Sequence, residues 1–245
     1  EAGSRDNSWK IHMPIALAYN LKDNKYNWYY HTETQRHMNN RRMYWPRGKV
    51  LGGSSSLNAM VYIRGHRLDY DRWQLQGAEG WSYKDVLPYF KKSETYQLGE
   101  NTFRGGDGPL HVSKGECRNP LYRAFIDAGV QAGYPYSADM NGKQQEGFGS
   151  LDMTIYQGRR WSSAQAYLKP VLSRKNLTVL THAHVLKLIL EHHTAKGVEF
   201  SYGRQLQSAY ANQEVLLCGG AINSPHLLML SVIGDSDELR QAGIE

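Results

Sequence analysis

Apolar and polar positions show no period over the first forty residues, which are irregular and rich in aromatics, with one strand-like run at Trp28-Tyr29-Tyr30. A Gly/Ser loop follows at Gly52 to Ser56. Beyond it the pattern turns helical. Ser82 stands three before Asp85, the arrangement of a capping box, and Val86, Leu87 and Phe90 supply an apolar face. A further helix is expected after Asn119: Asn119 caps it, Pro120 suits its first turn, and Leu121, Phe125 and Val130 recur at helical spacing. Gly133 stops it in the left-handed conformation. A short helix is expected over Ser162 to Leu168, ended by Pro170.

From Asn176 the pattern becomes that of strands. Leu177 to Thr181, Val185 to Leu190, Gly197 to Tyr202 and Gln207 to Ala211 alternate or run apolar, with a turn at Tyr202-Gly203-Arg204. This predicts an antiparallel meander. Val215-Leu216-Leu217-Cys218 is a continuous apolar run, expected as a strand covered on both faces. It meets Gly219-Gly220, and a helix is expected with Ser224 as its N-cap and Pro225 at its first position. The fold class is mixed α/β, with α/β units at the ends and antiparallel strands and helices between.

Composition narrows the classes. The chain has 245 residues, enough to bury a core without disulfides or metals. Its mean hydropathy of −0.62 and the lack of a long apolar run exclude a spanning helix; Leu227 to Ile233 is far too short. Two cysteines, Cys117 and Cys218, exclude a disulfide-dense scaffold and a four-Cys zinc site. The net charge of +6 raises nucleic-acid binding, but the basic residues come as scattered pairs such as Arg41-Arg42, Lys91-Lys92 and Arg159-Arg160. That spread reads as a basic surface and not a nucleic-acid patch. The chain starts at Glu1-Ala2-Gly3 and stops just after a predicted helix, so it reads as an internal piece of a longer protein.

Two segments have the chemistry to hold a ligand. In Pro46 to Asn58, adjacent glycines let backbone approach a ligand, Ser hydroxyls and successive N–H groups suit phosphate or a polar ring edge, and Asn58 offers donor and acceptor together. Composition alone leaves a flexible linker open, but Val50-Leu51 before the loop and Met60-Val61-Tyr62 after it argue against one. The Gly219-Gly220 turn ahead of a helix suits a pyrophosphate or carboxylate, or is an ordinary βα turn. Ten histidines include His182 and His184 on one strand face and the pair His192-His193, without acidic or cysteine partners at metal-ligand spacing, so no metal is expected. No Gly-x-Ser-x-Gly elbow is present.

The residues of the first segment resemble a known signature. Gly48, Lys49, Leu51, Gly52-Gly53-Ser54-Ser55, Leu57-Asn58, Tyr62, Gly65 and Asp71 are similar to the first signature of the glucose–methanol–choline flavoprotein oxidoreductases. Gly220-Ala221-Ile222-Asn223-Ser224-Pro225, Leu227-Leu228 and Ser231 are similar to the second, except that Val232 stands where the family usually has Gly. The likeness covers essentially the whole chain. Trp28 to Glu33, Ser54 to Tyr62, Asp139 to Gly142 and Gln144 to Gly149 carry a closer likeness to choline-oxidising members.

The resemblance implies a partial Rossmann-like FAD-binding domain plus part of an antiparallel-sheet substrate domain. It places residues 1–115 in the FAD-binding part, 116–175 in the substrate domain, and 176–245 again in the FAD-binding part. It implies FAD as hydride acceptor. Some members tether the flavin through a His just before the signature Asn; here that residue is Leu57, so the FAD is expected to be non-covalent. Glu1 takes the ribose-binding role. Val50, Gly52 and Gly53 line the pyrophosphate–ribityl path. Asn58, Ala59, Met60 and Val61 run past the isoalloxazine. Val185 meets the adenine through its backbone, and Gly219, Gly220 and Ala221 close the channel.

The implied substrate is a small alcohol, choline, oxidised to betaine aldehyde on the way to glycine betaine. A membrane electron acceptor and a mitochondrial, inner-membrane location are implied for the whole enzyme. Alternatives are another alcohol or sugar dehydrogenase of the family, or an inactive fragment. No catalytic residue is assigned in this chain, because the family's catalytic His belongs to a later segment.

Overall fold

The computed structural model of the chain describes residues 1–244. They fall into two bodies: one holds Asp6–Gly48 and Gly52–Leu177, the other Glu1–Arg5, Lys49–Leu51 and the chain from Thr178 on.

The first body strings short elements together: α1 (Trp9–His12), α2 (Leu17–Lys22), β1 (Tyr30–His31), β2 (Tyr44–Trp45), β3 (Val61–Tyr62), α3 (Arg67–Leu75), α4 (Tyr83–Ser93), β4 (Glu94–Tyr96), β5 (Leu110–Val112), α5 (Pro120–Gln131), β6 (Asp152–Met153), β7 (Ile155–Tyr156) and β8 (Arg159–Arg160). The strands pair two by two: β1 with β2, β3 with β6 and β7 with β8 antiparallel, β4 with β5 parallel. Strands this short bury few side chains, so much of the interior is polar. Arg64, Glu94, Arg104, Asn141 and Asp152 are buried alongside Ile11, Leu57, Met60, Tyr96 and Val112.

Two helices form where the sequence signals them. Ser82 caps α4 through the Asp85 amide at 3.4 Å. The Asp85 carboxylate meets the Ser82 hydroxyl, while the Ser82 amide goes to Gln74, so the reciprocal half of a capping box is missing. Asn119 caps α5 through the Leu121 amide at 2.9 Å, and Gly133 stops it at φ +91°. The buried face of α5 is Ile126 and Gly129, the latter against Phe148; Leu121, Phe125 and Val130 are exposed. Helix α3 carries no ordinary capping residue: the His66 ring accepts from the Leu68 amide and Asp69 returns a bond to the His66 amide.

The second body holds β9 (Ala183–Glu191), β10 (Thr194–Tyr202) and β11 (Gln205–Tyr210) in the antiparallel order β11-β10-β9, then α6 (Gly220–Leu230) and α7 (Ser236–Gln241). Three of the four runs that the alternation predicts form this meander. Gly203 and Arg204 both have positive φ (56° and 65°), the requirement of a two-residue hairpin turn that follows the strand twist. Ser231, at the end of α6, accepts the Leu188 amide of β9 at 2.8 Å and donates to the Leu227 carbonyl, joining helix to sheet.

Four expectations are corrected. Leu177 to Thr181 forms no strand. Val215 to Cys218 is not a strand either: Leu216 and Cys218 are exposed, and among the described residues no strand lies beside the run to pair its backbone. Helix α6 begins at Gly220, so Ser224 and Pro225 lie inside it; the Ser224 hydroxyl still serves its start, accepting from the Gly219 amide at 3.0 Å. Pro170 ends nothing. The Ala164–Leu168 turn passes into a further 3-10 turn, Lys169–Val171, that contains it.

Candidate functional site

The first signature crosses from one body to the other, and each part is built separately. In the first body, Gly52 and Gly53 both take positive φ (87° and 54°), and Gly53–Ser56 closes into one 3-10 turn. The expected Gly/Ser loop is thus ordered. Glycine is required here for stated reasons: a Cβ on Gly48 would lie 2.2 Å from the Gly53 backbone, and one on Gly52 would meet Ser56 Oγ at 2.5 Å, whereas the space over Gly53 is open.

The turn is stapled from a distant segment. Ser55 Oγ accepts from the Ser163 amide at 2.9 Å, and Ser163 Oγ donates to the Gly52 carbonyl at 3.2 Å. Arg160, at the end of β8, donates through Nη1 to the Ser55 carbonyl (3.1 Å), the Asn58 carbonyl (2.7 Å) and Asn58 Oδ1 (2.9 Å). Its Nε donates to the Ile11 carbonyl at 2.9 Å. Leu57 and Met60 are buried, while Asn58, Ala59 and Val61 face outward. Met60 adopts φ +64°, unusual for a residue with a Cβ. Its amide donates to Asn58 Oδ1 and its carbonyl accepts the Thr154 amide at 2.7 Å, which holds it there.

Arg160 and Ser163, which hold the signature turn, were missed by sequence reasoning. Arg159-Arg160 read as a surface basic pair, yet Arg159 is exposed and Arg160 is 1% exposed. No local pattern marks this. Arg160 meets Asn58 across 102 positions and Ser163 meets Ser55 across 108. Burial pushes the Arg160 pKa down to about 10, which leaves it charged near neutrality.

In the second body, Val50 is wholly buried and bridges Ser4 in parallel. The Gly3 carbonyl accepts the His182 amide and the Glu1 carbonyl accepts the Ala183 amide, both at 2.9 Å. Glu1, Val50 and the root of β9, where Val185 sits, are therefore brought together. The Glu1 carboxylate accepts the Gly3 amide at 2.7 Å. Desolvation raises its pKa, against the pull of that amide and of Lys49. His184 is pushed down by burial, then by the charges of Lys49 and His226. Gly219, Gly220 and Ala221 are exposed at the start of α6, with Gly220 at φ +87° and open space where a Cβ would stand.

The departure at Val232 has a visible consequence. The Val232 amide bonds the Met229 carbonyl and the Ile233 amide bonds the Leu228 carbonyl, the paired bonds of a Schellman end. Val232 holds the left-handed position at φ +62°, which a β-branched residue adopts only under strain. The sharp turn survives the loss of glycine.

Two hollows of the first body lie elsewhere. One of about 580 Å³ is lined by Lys10, Tyr19, Lys22, Asp23, Asn24 and Tyr29; one of about 110 Å³ lies beside His66, Tyr83 and Gln144. Neither includes a residue of the signatures.

Comparison with known proteins agrees with this geometry. Residues 13–242 match the GMC oxidoreductase family. The mitochondrial choline dehydrogenase of Mus musculus is 59% identical over 242 residues, covering 99% of this chain and 41% of that protein. Among solved structures, pyridoxine 4-oxidase from Mesorbium loti is 37% identical with a TM-score of 0.90, covering 100% of this chain and 48% of its own. An FAD-dependent oxidoreductase from Chaetomium thermophilum is 30% identical with a TM-score of 0.88, covering 100% and 44%. The chain thus spans less than half the length of each. With its first signature folded into the stapled turn and its second at the head of α6, the chain belongs to the GMC oxidoreductase family.

Proposed function

We propose that this chain is the FAD-holding part of an oxidoreductase that oxidises choline to betaine aldehyde. The observation that carries the proposal is the stapled signature turn: open space over Gly53, then outward-facing Asn58, Ala59 and Val61 on a backbone tied down from beneath by Arg160 and Ser163. These groups fit a planar ring whose edge accepts neutral hydrogen bonds. Gly219, Gly220 and Ala221 at the head of α6 are proposed to close the cofactor channel, where a helix N-terminus favours the anionic part of the cofactor. Glu1 is proposed to hold the adenosine ribose through its carboxylate, and the backbone at Val185 to meet the adenine.

Bound FAD would supply a two-electron acceptor for the carbinol hydride, and the hydroxyl proton would pass to a base that is not among the residues assigned in this chain. The chain's own part is to bind and orient. Asn58 and the backbone through Val61 set the ring's height, Gly52 and Gly53 admit the ribityl path, and buried Leu57, with no nucleophilic atom, leaves the cofactor non-covalent at that point. In this reading residues 1–115 and 176–245 serve the cofactor and 116–175 the substrate. The identity to the mouse protein, itself named mitochondrial, supports choline as substrate and a mitochondrial location; the inner membrane and a membrane electron acceptor are part of the proposal for the whole protein.

The protein carrying this chain should purify with flavin absorbance, and anaerobic choline should bleach it. Flavin bleached by other alcohols but not by choline supports a different alcohol or sugar dehydrogenase of the family. A protein without flavin contradicts the reading.

A further inference from the structure

Arg160 is a buried cation with an unusual set of partners. Its acceptors are the carbonyls of Ile11, Ser55 and Asn58 and the Asn58 side-chain oxygen, all neutral. Among the described residues no carboxylate pairs with it, and Nη2 has no hydrogen-bond partner. A buried guanidinium without a counter-ion is costly, so its geometry has to do something that an apolar residue would not.

What it does is fix one amide. Asn58 Oδ1 accepts from Arg160 Nη1 at 2.9 Å and from the Met60 amide at 3.0 Å. Turning the amide over would aim its NH₂ group at two donors. The oxygen is therefore locked inward, and the NH₂ group is left on the exposed side of the residue. An asparagine free to flip would offer either a donor or an acceptor; this one offers only a donor.

We propose that Arg160 is a positioning residue that locks Asn58 as an outward N–H donor to an acceptor atom on the edge of the bound flavin ring. The proposal rests on the flavin reading above and adds a residue, an atom and a direction to it.

The test uses the FAD-loaded protein carrying this chain. Its readouts are the Kd of the apoprotein for FAD, the visible spectrum of the bound flavin, and thermal unfolding of the apoprotein. Asn58→Asp keeps an oxygen for Arg160, adds a counter-charge, and replaces the outward donor by an acceptor. Its apoprotein should unfold no earlier than wild type. Its Kd for FAD should rise by about three- to tenfold, the worth of one neutral hydrogen bond, and its flavin bands should shift. Arg160→Lys keeps the charge but loses the fork, and should weaken FAD binding in the same direction. Added to Asn58→Asp it should weaken binding little further, since both act through one donor.

Wild-type affinity and spectrum in Asn58→Asp, or effects of the two substitutions that simply add, overturn the proposal while leaving the flavin reading intact. A wild-type protein that never holds flavin overturns both.

Discussion

Two arginines of the first body are buried to the same degree and live in opposite surroundings. Arg104 is 0% exposed and ringed by acids: Glu94 at 2.9 Å, Asp139 and Asp152 at 2.7 Å. The Tyr96 ring lies 3.5 Å from its guanidinium carbon. Arg64 pairs with the same Glu94, and Lys114 stands 3.5 Å from Asp152, so cations and anions balance. Burial pulls the Arg104 pKa down, but the bonds from Glu94 and Asp152 outweigh it and hold it above the ordinary value. Tyr96 beside it is pushed up to about 12, by burial first and by Asp152 next. Arg160 is 1% exposed, has only neutral acceptors, and is pulled down. The first cluster balances its own charges and ties β4 to β6. The second leaves its charge uncompensated under a loop that faces outward. Buried charge that is paired belongs to scaffold here; buried charge that is not lies beneath the proposed flavin site.

The comparison makes graded predictions. Arg104→Met takes a shared cation from three carboxylates and leaves Asp139 without one among the described residues, and should cost about 3–5 kcal/mol of unfolding free energy in urea, the usual result of breaking a buried network from one side. Arg160→Met also strands carbonyls but relieves an unpaired charge, so about 1–3 kcal/mol is expected. An Arg160 loss equal to or above the Arg104 loss breaks the contrast. Val232→Gly should go the other way and stabilise by about 1 kcal/mol, as the left-handed penalty is lifted and partly offset by glycine's freedom when unfolded.

Titration sharpens the same picture. His12, His111 and His184 all have lowered pKa values, each chiefly by burial, so the unfolded chain binds more protons near their ordinary value. Their stability contribution is complete above about pH 6.5 and is lost as the pH falls from there through the folded values. Glu1, with a raised pKa, acts in the opposite sense at lower pH. Denaturant midpoints measured across that range should fall with acid. His111→Gln should flatten the decline, since His111 is stacked on Tyr156 at 3.8 Å and its shift comes from burial alone. The smallest effect belongs to the pair between exposed Lys187 and half-buried Glu199 on β9 and β10: Lys187→Ala should change stability by less than about 0.5 kcal/mol.

Elements whose signals are local were legible in the sequence. The meander with its Gly203-Arg204 turn, the Asn119–Pro120 start and Gly133 stop of α5, and the Ser82 cap each depend on residues within a few positions. Failures came where tertiary surroundings decide. Val215 to Cys218 has strand composition but no neighbour to pair with among the described residues, and α6 starts before its Ser-Pro signal because the Ser224 side chain reaches back to Gly219. The α3 cap is a histidine, which propensity does not favour. At the candidate site, the signature glycines and Asn58 could be read directly. Arg160 could not, because its meaning lies in what surrounds it after folding and its sequence neighbour Arg159 is merely exposed.

The most direct measurement is a crystal structure of the protein carrying this chain with FAD bound. The account predicts Asn58 Oδ1 on Arg160 and Asn58 Nδ2 about 3 Å from an acceptor atom of the flavin ring. A flavin ring elsewhere, or an Asn58 amide turned with its oxygen toward the ring, would contradict it.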